Sequence, residues 1–402
     1  MVESLLIIGN GFDKKCGLKS SFSDYYEKLF SENNGQNIYA ILFTLFKNKS
    51  WNVEEIDQIY TDHMDLFEKI TMWDLYFFLN LEVKDKTIMW YDVEKSIKES
   101  FYKKDIKVNL YDNNYWAYFM SRYTQIHKRN KSEKLYIKNK LDLPVLFFIR
   151  YQLANKASLF KGDNYQNLTE SLFIEFLRNE LERFEQFFRV YLKEVSADEN
   201  YSRKKNYYKS KLRIEKTNVL SFNYTHLSLG NGEFCENVHG SLNENLSIIG
   251  IDGSFIESTD KYYQFTKTYR KIEQFTRSDS KNIVDVLDIN IKRLIFYGHS
   301  LNEQDYSYFK SIFDFYNLYG DKKSNNNLHL VFYYSIYEGK DALTIKKDIF
   351  TSVIHLIHAY DKTYKSDHEM GNNLLHKLLI EKRIEIREFK PDDEQTFLAS
   401  II

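Results

Sequence analysis

Four short stretches of this chain carry side chains able to do chemistry, and each follows an apolar run. The first is Gly9-Asn10-Gly11-Phe12-Asp13, directly after Ser4-Leu5-Leu6-Ile7-Ile8. Glycines at 9 and 11 let a backbone approach a phosphate closely, and N–H groups at a helix start can hold the anion. The third glycine of the usual dinucleotide fingerprint is missing, so a tight strand-to-helix turn explains the pattern equally well. The second is Ser221-Phe222-Asn223-Tyr224-Thr225. Asn223 can donate and accept at once, which suits a ribose hydroxyl or a held water, or an Asx-turn. The third is Asn237-Val238-His239-Gly240-Ser241, where His239 has the reference acidity of a general base at neutral pH. A satisfied polar histidine is the plainer alternative. The fourth is Gly298-His299-Ser300-Leu301-Asn302-Glu303-Gln304-Asp305. It is either a helix cap, Ser300 with Glu303 or Asn302 with Asp305, or a glycine-led loop for phosphate or ribose.

The elements that must position these loops are legible around them. Ser4–Ile8 is apolar throughout, as a strand covered on both faces should be. Ser21 is placed to cap a helix beginning near Ser23, with Asp24 in its first turn. From about residue 35 to 215 helical spacing dominates. Between Ser171 and Val195, Leu172, Phe173, Phe176, Leu177, Leu181, Phe184, Phe187, Phe188 and Tyr191 recur every three or four residues, a core stripe without chemistry. Glu180, Glu182 and Arg189 fall opposite it. After Thr217, strands are expected at 218–222, 246–249, 292–297, 328–334 and 384–389, with helices at 305–316 and 373–382. Such alternation indicates an α/β fold with a mostly parallel sheet, whose ligands bind outside the C-terminal strand ends.

Composition narrows the possibilities. The 402 residues are 43% hydrophobic and 28% charged, so the chain is globular and long enough for one large fold with an insertion. The net charge of −1 supplies no global field toward nucleic acid or membrane. Basic stretches at His127–Lys140 and Arg203–Lys216 read as solvated faces, or as a site for an acidic or nucleic-acid partner. Two distant cysteines, Cys16 and Cys235, are too few for a disulfide framework or a thiolate zinc site, and no metal is expected. No apolar run approaches a membrane span, and Met1-Val2-Glu3 lacks a signal peptide's basic region, so a cytoplasmic protein is expected.

At these residues a family resemblance is visible. Ile7–Asp13 with Gly17-Leu18, Leu220–Thr225, Val238–Ser241, Ile249–Asp252, and Phe296–Leu301 with Asp305 resemble the landmarks of the AbiH family, bacterial abortive-infection proteins against phage. Trp90-Tyr91-Asp92-Val93-Glu94 resembles the Trp-x-Asp-x-Glu element of that family's helical part. More distantly the landmarks are similar to those of sirtuin-like proteins, which have a Rossmann-like sheet that binds NAD. Some of these deacylate lysine, and others hydrolyse NAD during infection. The chain departs from the deacylases, which carry four zinc-binding cysteines.

The resemblance implies a Rossmann-like domain from 1–34 and 216–402 with a mainly helical insertion at 35–215. It implies NAD as substrate or ligand. His239 would be the general base, Asn223 would orient ribose or water, and Asp13 would favour a cationic ribose or cap a helix. Gly9, Asn10, Gly11 and Phe12, with Tyr224, Gly240, Gly298, His299, Ser300 and Asp305, would bind the nucleotide, Gly298 and Ser300 on the adenosine side. Asp252 and Glu94 are weaker candidates. Control of a toxic activity implies a phage-derived trigger or homo-oligomer assembly acting through the helical segment. A nucleotide-sensing module without turnover and a nucleic-acid-acting toxin are the alternatives.

Overall fold

Ser4-Leu5-Leu6-Ile7-Ile8 has no polar face to show to water, and it forms the centre of a six-stranded parallel sheet. The computed structural model describes residues 2–31, 51–52, 58–59, 61–64, 68–80, 88–102, 115–127, 136–137, 142, 144–145, 148, 169–212, 216–229, 233–277, 286–320, 328–336, 341–365 and 373–400. The strands are β1 (Ser4–Ile8), β2 (Thr217–Ser221), β3 (Cys235–Asn237), β4 (Arg293–Tyr297), β5 (His329–Tyr334) and β6 (Ile384–Glu388). They lie in the order β3-β2-β1-β4-β5-β6, all parallel. This is the Rossmann order, whose switch point falls between the C-terminal ends of β1 and β4.

Alternation along β1 divides two cores. Leu5 and Ile7 join Leu294, Phe296, Phe309 and Phe313 on one face. Leu6 and Ile8 join Phe12, Tyr201, Tyr208 and Val219 on the other. The helices are α1 (Asn10–Lys15), α2 (Phe22–Ser31), α3 (Met72–Asn80), α4 (Trp90–Tyr102), α5 (Tyr115–His127), α6 (Glu170–Ser196), α7 (Glu199–Lys211), α8 (Lys267–Arg277), α9 (Tyr306–Phe315), α10 (Ala342–Lys365), α11 (Leu374–Ile380) and α12 (Glu394–Ala399). Ser21 caps α2: its hydroxyl accepts from Asp24 N–H at 3.1 Å, while the Asp24 carboxylate accepts from Ser21 N–H at 2.7 Å.

The stripe read over 171–195 is α6, capped by Thr169. Phe173, Phe176, Leu177, Leu181, Phe184 and Phe188 pack with Trp73, Phe77, Trp116 and Phe148 in a third, aromatic core. Each such burial is worth about 1.5–3 kcal/mol, so packing holds this helix more than propensity does. Glu180 and Arg189, expected on the solvent side, turn inward. Glu180 accepts from Met72 N–H at 2.9 Å at the start of α3, and Arg189 donates to Ser247 Oγ at 3.0 Å. Packing also crosses residues 34 and 215: Phe22, Tyr25 and Tyr26 belong to the aromatic core, whereas Tyr201 and Tyr208 of α7 lie against the sheet.

Two expectations need correction. Residues 247–249 are buried, but 246–249 form no strand, because their backbone bonds go to other partners. Ile249 N–H donates to the Glu185 carboxylate at 2.7 Å, Arg270 donates to Ile249 O at 2.9 Å, and Ile248 N–H donates to His239 O at 2.8 Å. The second basic stretch is mostly α7, and at least four of its cations are engaged within the protein, Lys216 with Glu3 at 3.4 Å among them. Lys205 donates to His226 O at 2.9 Å, Lys209 to Ser228 O, and Lys211 pairs with Asp393 at 2.6 Å. The stretch at His127–Lys140 lies outside the described residues apart from His127, Tyr136 and Ile137. Among the described residues, no helix is long and apolar enough to cross a membrane.

Candidate functional site

The loops after β1 and β4 meet at the switch point, and their glycines serve that meeting. Gly11 N–H donates to Gly298 O at 2.7 Å, Gly9 N–H to Tyr297 O at 3.2 Å, and Phe12 N–H to Gly9 O at 2.9 Å. A Cβ on Gly11 would stand 2.7 Å from Gly298 O, and one on Gly298, at φ +67°, would stand 2.3 Å from Phe12 N. The amides of Gly9, Gly11 and Phe12, expected to help cradle a pyrophosphate, are therefore already donated within the protein. Phe12 is fully buried and edge-on to Tyr297, so it is core. Ser300 is exposed.

Beside this junction lies a buried chain of charge. His239, two residues past β3, sets Nε2 3.1 Å from Asp305 Oδ1. Lys267, the first residue of α8, donates to the same Asp305 oxygen at 2.8 Å and to Glu94 of α4 at 3.0 Å. His299 Nε2 stands 3.6 Å from the other Asp305 oxygen. Neither capping box expected at 300–305 forms, because the Asp305 carboxylate turns into this cluster and Asn302 alone accepts from Gln304 N–H.

The electrostatics follow from burial and one ammonium. Burial alone would raise Asp305, but Lys267, then His239, outweigh it and hold the carboxyl well below the usual range. At Glu94 burial wins over Lys267 and lifts the carboxyl to about 7. Lys267 itself is pushed above its ordinary value, because Asp305 and Glu94 outweigh its burial. Burial, helped by Lys267, lowers His239 to about 4, and burial lowers His299 to about 4. Both imidazoles are neutral at pH 7.

Their partners then decide their tautomers. An ionised carboxylate can only accept, so His239 carries its proton on Nε2 and leaves Nδ1 a bare acceptor. That Nδ1 is buried and has no partner. His299 is different: its Nδ1 accepts from Leu301 N–H at 2.9 Å, and its ring packs on Phe222 and Phe309. His299 is thus a supporting residue. The His239 ring packs edge-on against Phe222 and Tyr308.

Three more side chains in the segments after these strands have buried polar atoms without a partner. Asn223, 3% exposed, has neither Nδ2 nor Oδ1 bonded; Gln304 Oε1 and Asn10 Nδ2 are likewise alone. The Asn223 backbone is held in place: its carbonyl accepts from Asn237 Nδ2 at 2.7 Å and its N–H donates to Ser221 Oγ at 3.2 Å. Each buried unsatisfied group costs about 1–3 kcal/mol, so a set of them at ligand-bearing strand ends marks a place for a polar molecule.

Asp13 belongs to another arrangement. Its oxygens accept from Tyr201 at 2.8 Å and Thr225 at 2.6 Å, with the Lys205 charge nearby. Both fasten α1 to α7 and to the loop after β2, and the side chain is 2% exposed. Asp252 accepts from Ser254 N–H at 2.8 Å and Ser307 N–H at 3.2 Å, again a cap. Gly240, at φ +85°, makes the turn beside Leu246, and Tyr224 donates to Ile248 O at 3.2 Å. Of the Trp-x-Asp-x-Glu element, Trp90 donates to Ser20 O at 2.7 Å and Asp92 accepts from Met89 N–H at 2.9 Å; only Glu94 reaches the cluster.

Lys267 and Gln304 were invisible as site residues. Lysine at a helix start ordinarily reads as a solvated charge, and no local motif surrounds it. Among the described residues no three His, Cys, Asp or Glu side chains are grouped to hold a metal ion. A groove of about 330 Å³ between α5 and α6, lined by Trp116, Met120, Phe173 and Tyr262, shares no residue with the cluster.

Neither a curated protein nor a solved structure matches the chain. The sequence profile of a family described as bacteriophage abortive infection AbiH matches residues 5–321, which include every loop of the site. With that match over most of its length, the chain belongs to the AbiH family of phage abortive-infection proteins.

Proposed function

We propose that this abortive-infection protein acts on NAD in the cytosol, cleaving the bond between nicotinamide and ribose. The observation that carries the reading is the bare Nδ1 of a neutral His239, oriented by Asp305 among unsatisfied Asn223, Gln304 and Asn10. As the C1′–N bond breaks, its electron pair goes to the pyridinium ring and nicotinamide leaves neutral, so no general acid is required. The ribose becomes oxocarbenium-like. Water adds to C1′ and becomes strongly acidic as it does so. An imidazole lowered to about 4 is therefore basic enough to take its proton at Nδ1, while Asp305 stabilises the resulting imidazolium. Asn223, able to donate and accept, holds the water or a ribose hydroxyl. The products are nicotinamide and ADP-ribose.

The test is nicotinamide release by the full chain, alone and in phage-challenged cells, against His239→Ala and Asn223→Ala. Loss in both variants with thermal melting retained supports the roles; full activity in both sinks them. A second reading is favoured by the burial of His239, 5% exposed: the pocket holds NAD, ADP-ribose or a related nucleotide in a closed state and reports it through the helical region. Tight binding without turnover, before and after challenge, selects that reading. A phage-derived trigger or self-assembly would act on the helical region in either case.

A further inference from the structure

The Lys267 ammonium is 2% exposed and gripped from two sides, by Asp305 of the strand-end loop and by Glu94 of α4. Three residues on, Arg270 makes a bidentate pair with Glu185 of α6. Lys267 and Arg270 of α8 thus each take a carboxylate from a helix that lies between β1 and β2 in the chain. The Arg270–Glu185 pair fixes the backbone of Ile249 and ends there. The Lys267–Glu94 pair does not end there: it continues through Asp305 to the imidazole.

We propose that Lys267 and Glu94 are positioning residues for His239, with Glu94 holding the ammonium on Asp305 and the ammonium thereby fixing which nitrogen of His239 is bare. The argument is one of proton placement. Buried without a cation, Asp305 would take a proton, and a protonated carboxyl donates. Donation to His239 Nε2 would drive the imidazole proton to Nδ1, turning the bare acceptor into a donor. With Lys267 in place Asp305 stays ionised, accepts from Nε2, and leaves Nδ1 open. Glu94 holds the far side of the ammonium, so one α4 side chain governs the state of an imidazole after β3. A plain structural ion pair would stabilise the fold and leave the tautomer unchanged. The consequence for turnover rests on the proposed nicotinamide cleavage; the tautomer does not.

The experiment is nitrogen-15 NMR of the full chain labelled at histidine, with His239 assigned from His239→Gln. The native protein should show protonated Nε2 and bare Nδ1. Lys267→Met should populate the Nδ1–H form and lower kcat for nicotinamide release by about 10²–10⁴-fold with KM little changed. If that variant does not fold, the double variant Glu94→Gln/Lys267→Met, which removes both charges of the pair, decides. An unchanged His239 tautomer in the folded variant overturns the proposal. Glu94→Ala should show the same change to a smaller extent, and Glu94→Gln, which keeps an acceptor for Lys267, should restore the native tautomer. Equal behaviour of those two variants overturns the part assigned to Glu94. A shifted tautomer in a protein whose native form releases no nicotinamide upholds the positioning and defeats the cleavage.

Discussion

Asp13 and Asp305 are two largely buried carboxylates in the segments that follow β1 and β4, and the protein treats them in opposite ways. Around Asp13 both oxygens are bonded: two hydroxyls donate to it, and Lys205 lies near with its own ammonium on a carbonyl. Burial still wins there and the carboxyl is raised. Around Asp305 the ammonium is in direct contact, the carboxyl is lowered, and beyond it lie a bare His239 Nδ1 and an Asn223 with nothing bonded. A satisfied cluster is a fastener. A cluster with several buried polar atoms left unbonded has acceptors and donors to offer a ligand.

The comparison breaks if the two carboxylates can be exchanged in effect. Asp305→Asn should lower nicotinamide release by about 10²–10⁴-fold, because the amide can present a donor to His239 and reverse its tautomer. Asp13→Asn should leave kcat of the folded protein unchanged. Urea denaturation reads the converse. Asp13→Ala should destabilise by on the order of 3 kcal/mol, stranding Lys205 and two buried hydroxyls.

Acid should single out the other cluster. His239 and His299 titrate near 4 when folded and near 6.5 when unfolded, so between those values the unfolded chain binds the extra protons. Stability is then full above pH 6.5 and falls toward pH 4, by on the order of 3 kcal/mol per imidazole. Glu94, raised to about 7, works the other way: it favours the folded state at low pH, and that contribution is lost as pH rises through 7. The comparison of native protein with His239→Gln isolates the imidazole, and an unchanged pH slope of the urea midpoint counts against a neutral buried His239. The smallest effects sharpen the same contrast. Thr225→Val removes a satisfied donor and should cost about 1–2 kcal/mol. Asn223→Ala removes a group that bonds to nothing and should shift stability by less than about 1 kcal/mol while abolishing turnover.

Much of the frame was readable from local pattern. β1 is apolar at every position because both faces are covered, and α6 repeats every three or four residues because one face is. Ser21 with Asp24 is a cap whose geometry is local. Reading failed where packing overrides pattern. Cys235–Asn237 is a three-residue polar strand, unreadable because its pairing with β2 makes it a strand. Leu246–Ile249 has strand composition but gives its backbone bonds to Glu185, Arg270 and His239. Asp13 was a fair candidate by type, since nothing nearby in sequence says that Tyr201 and Thr225 will use both its oxygens. Glu94 was noticed only through a family element, and Lys267 not at all.

The sequence by itself determined that β1 would be a covered strand, that glycines at 9, 11 and 298 would permit close backbone approach, and that His239 is a candidate base by residue type. Only the tertiary structure decided what those glycines approach, which is each other's loops, and which carboxylate commands the imidazole. Asp305 lies 66 residues from His239, and Glu94 lies 173 from Lys267. A hydrogen bond or an ion pair depends on separations of a few ångströms, and across such stretches of chain only the packing of α4 and α8 onto the strand-end loops sets them.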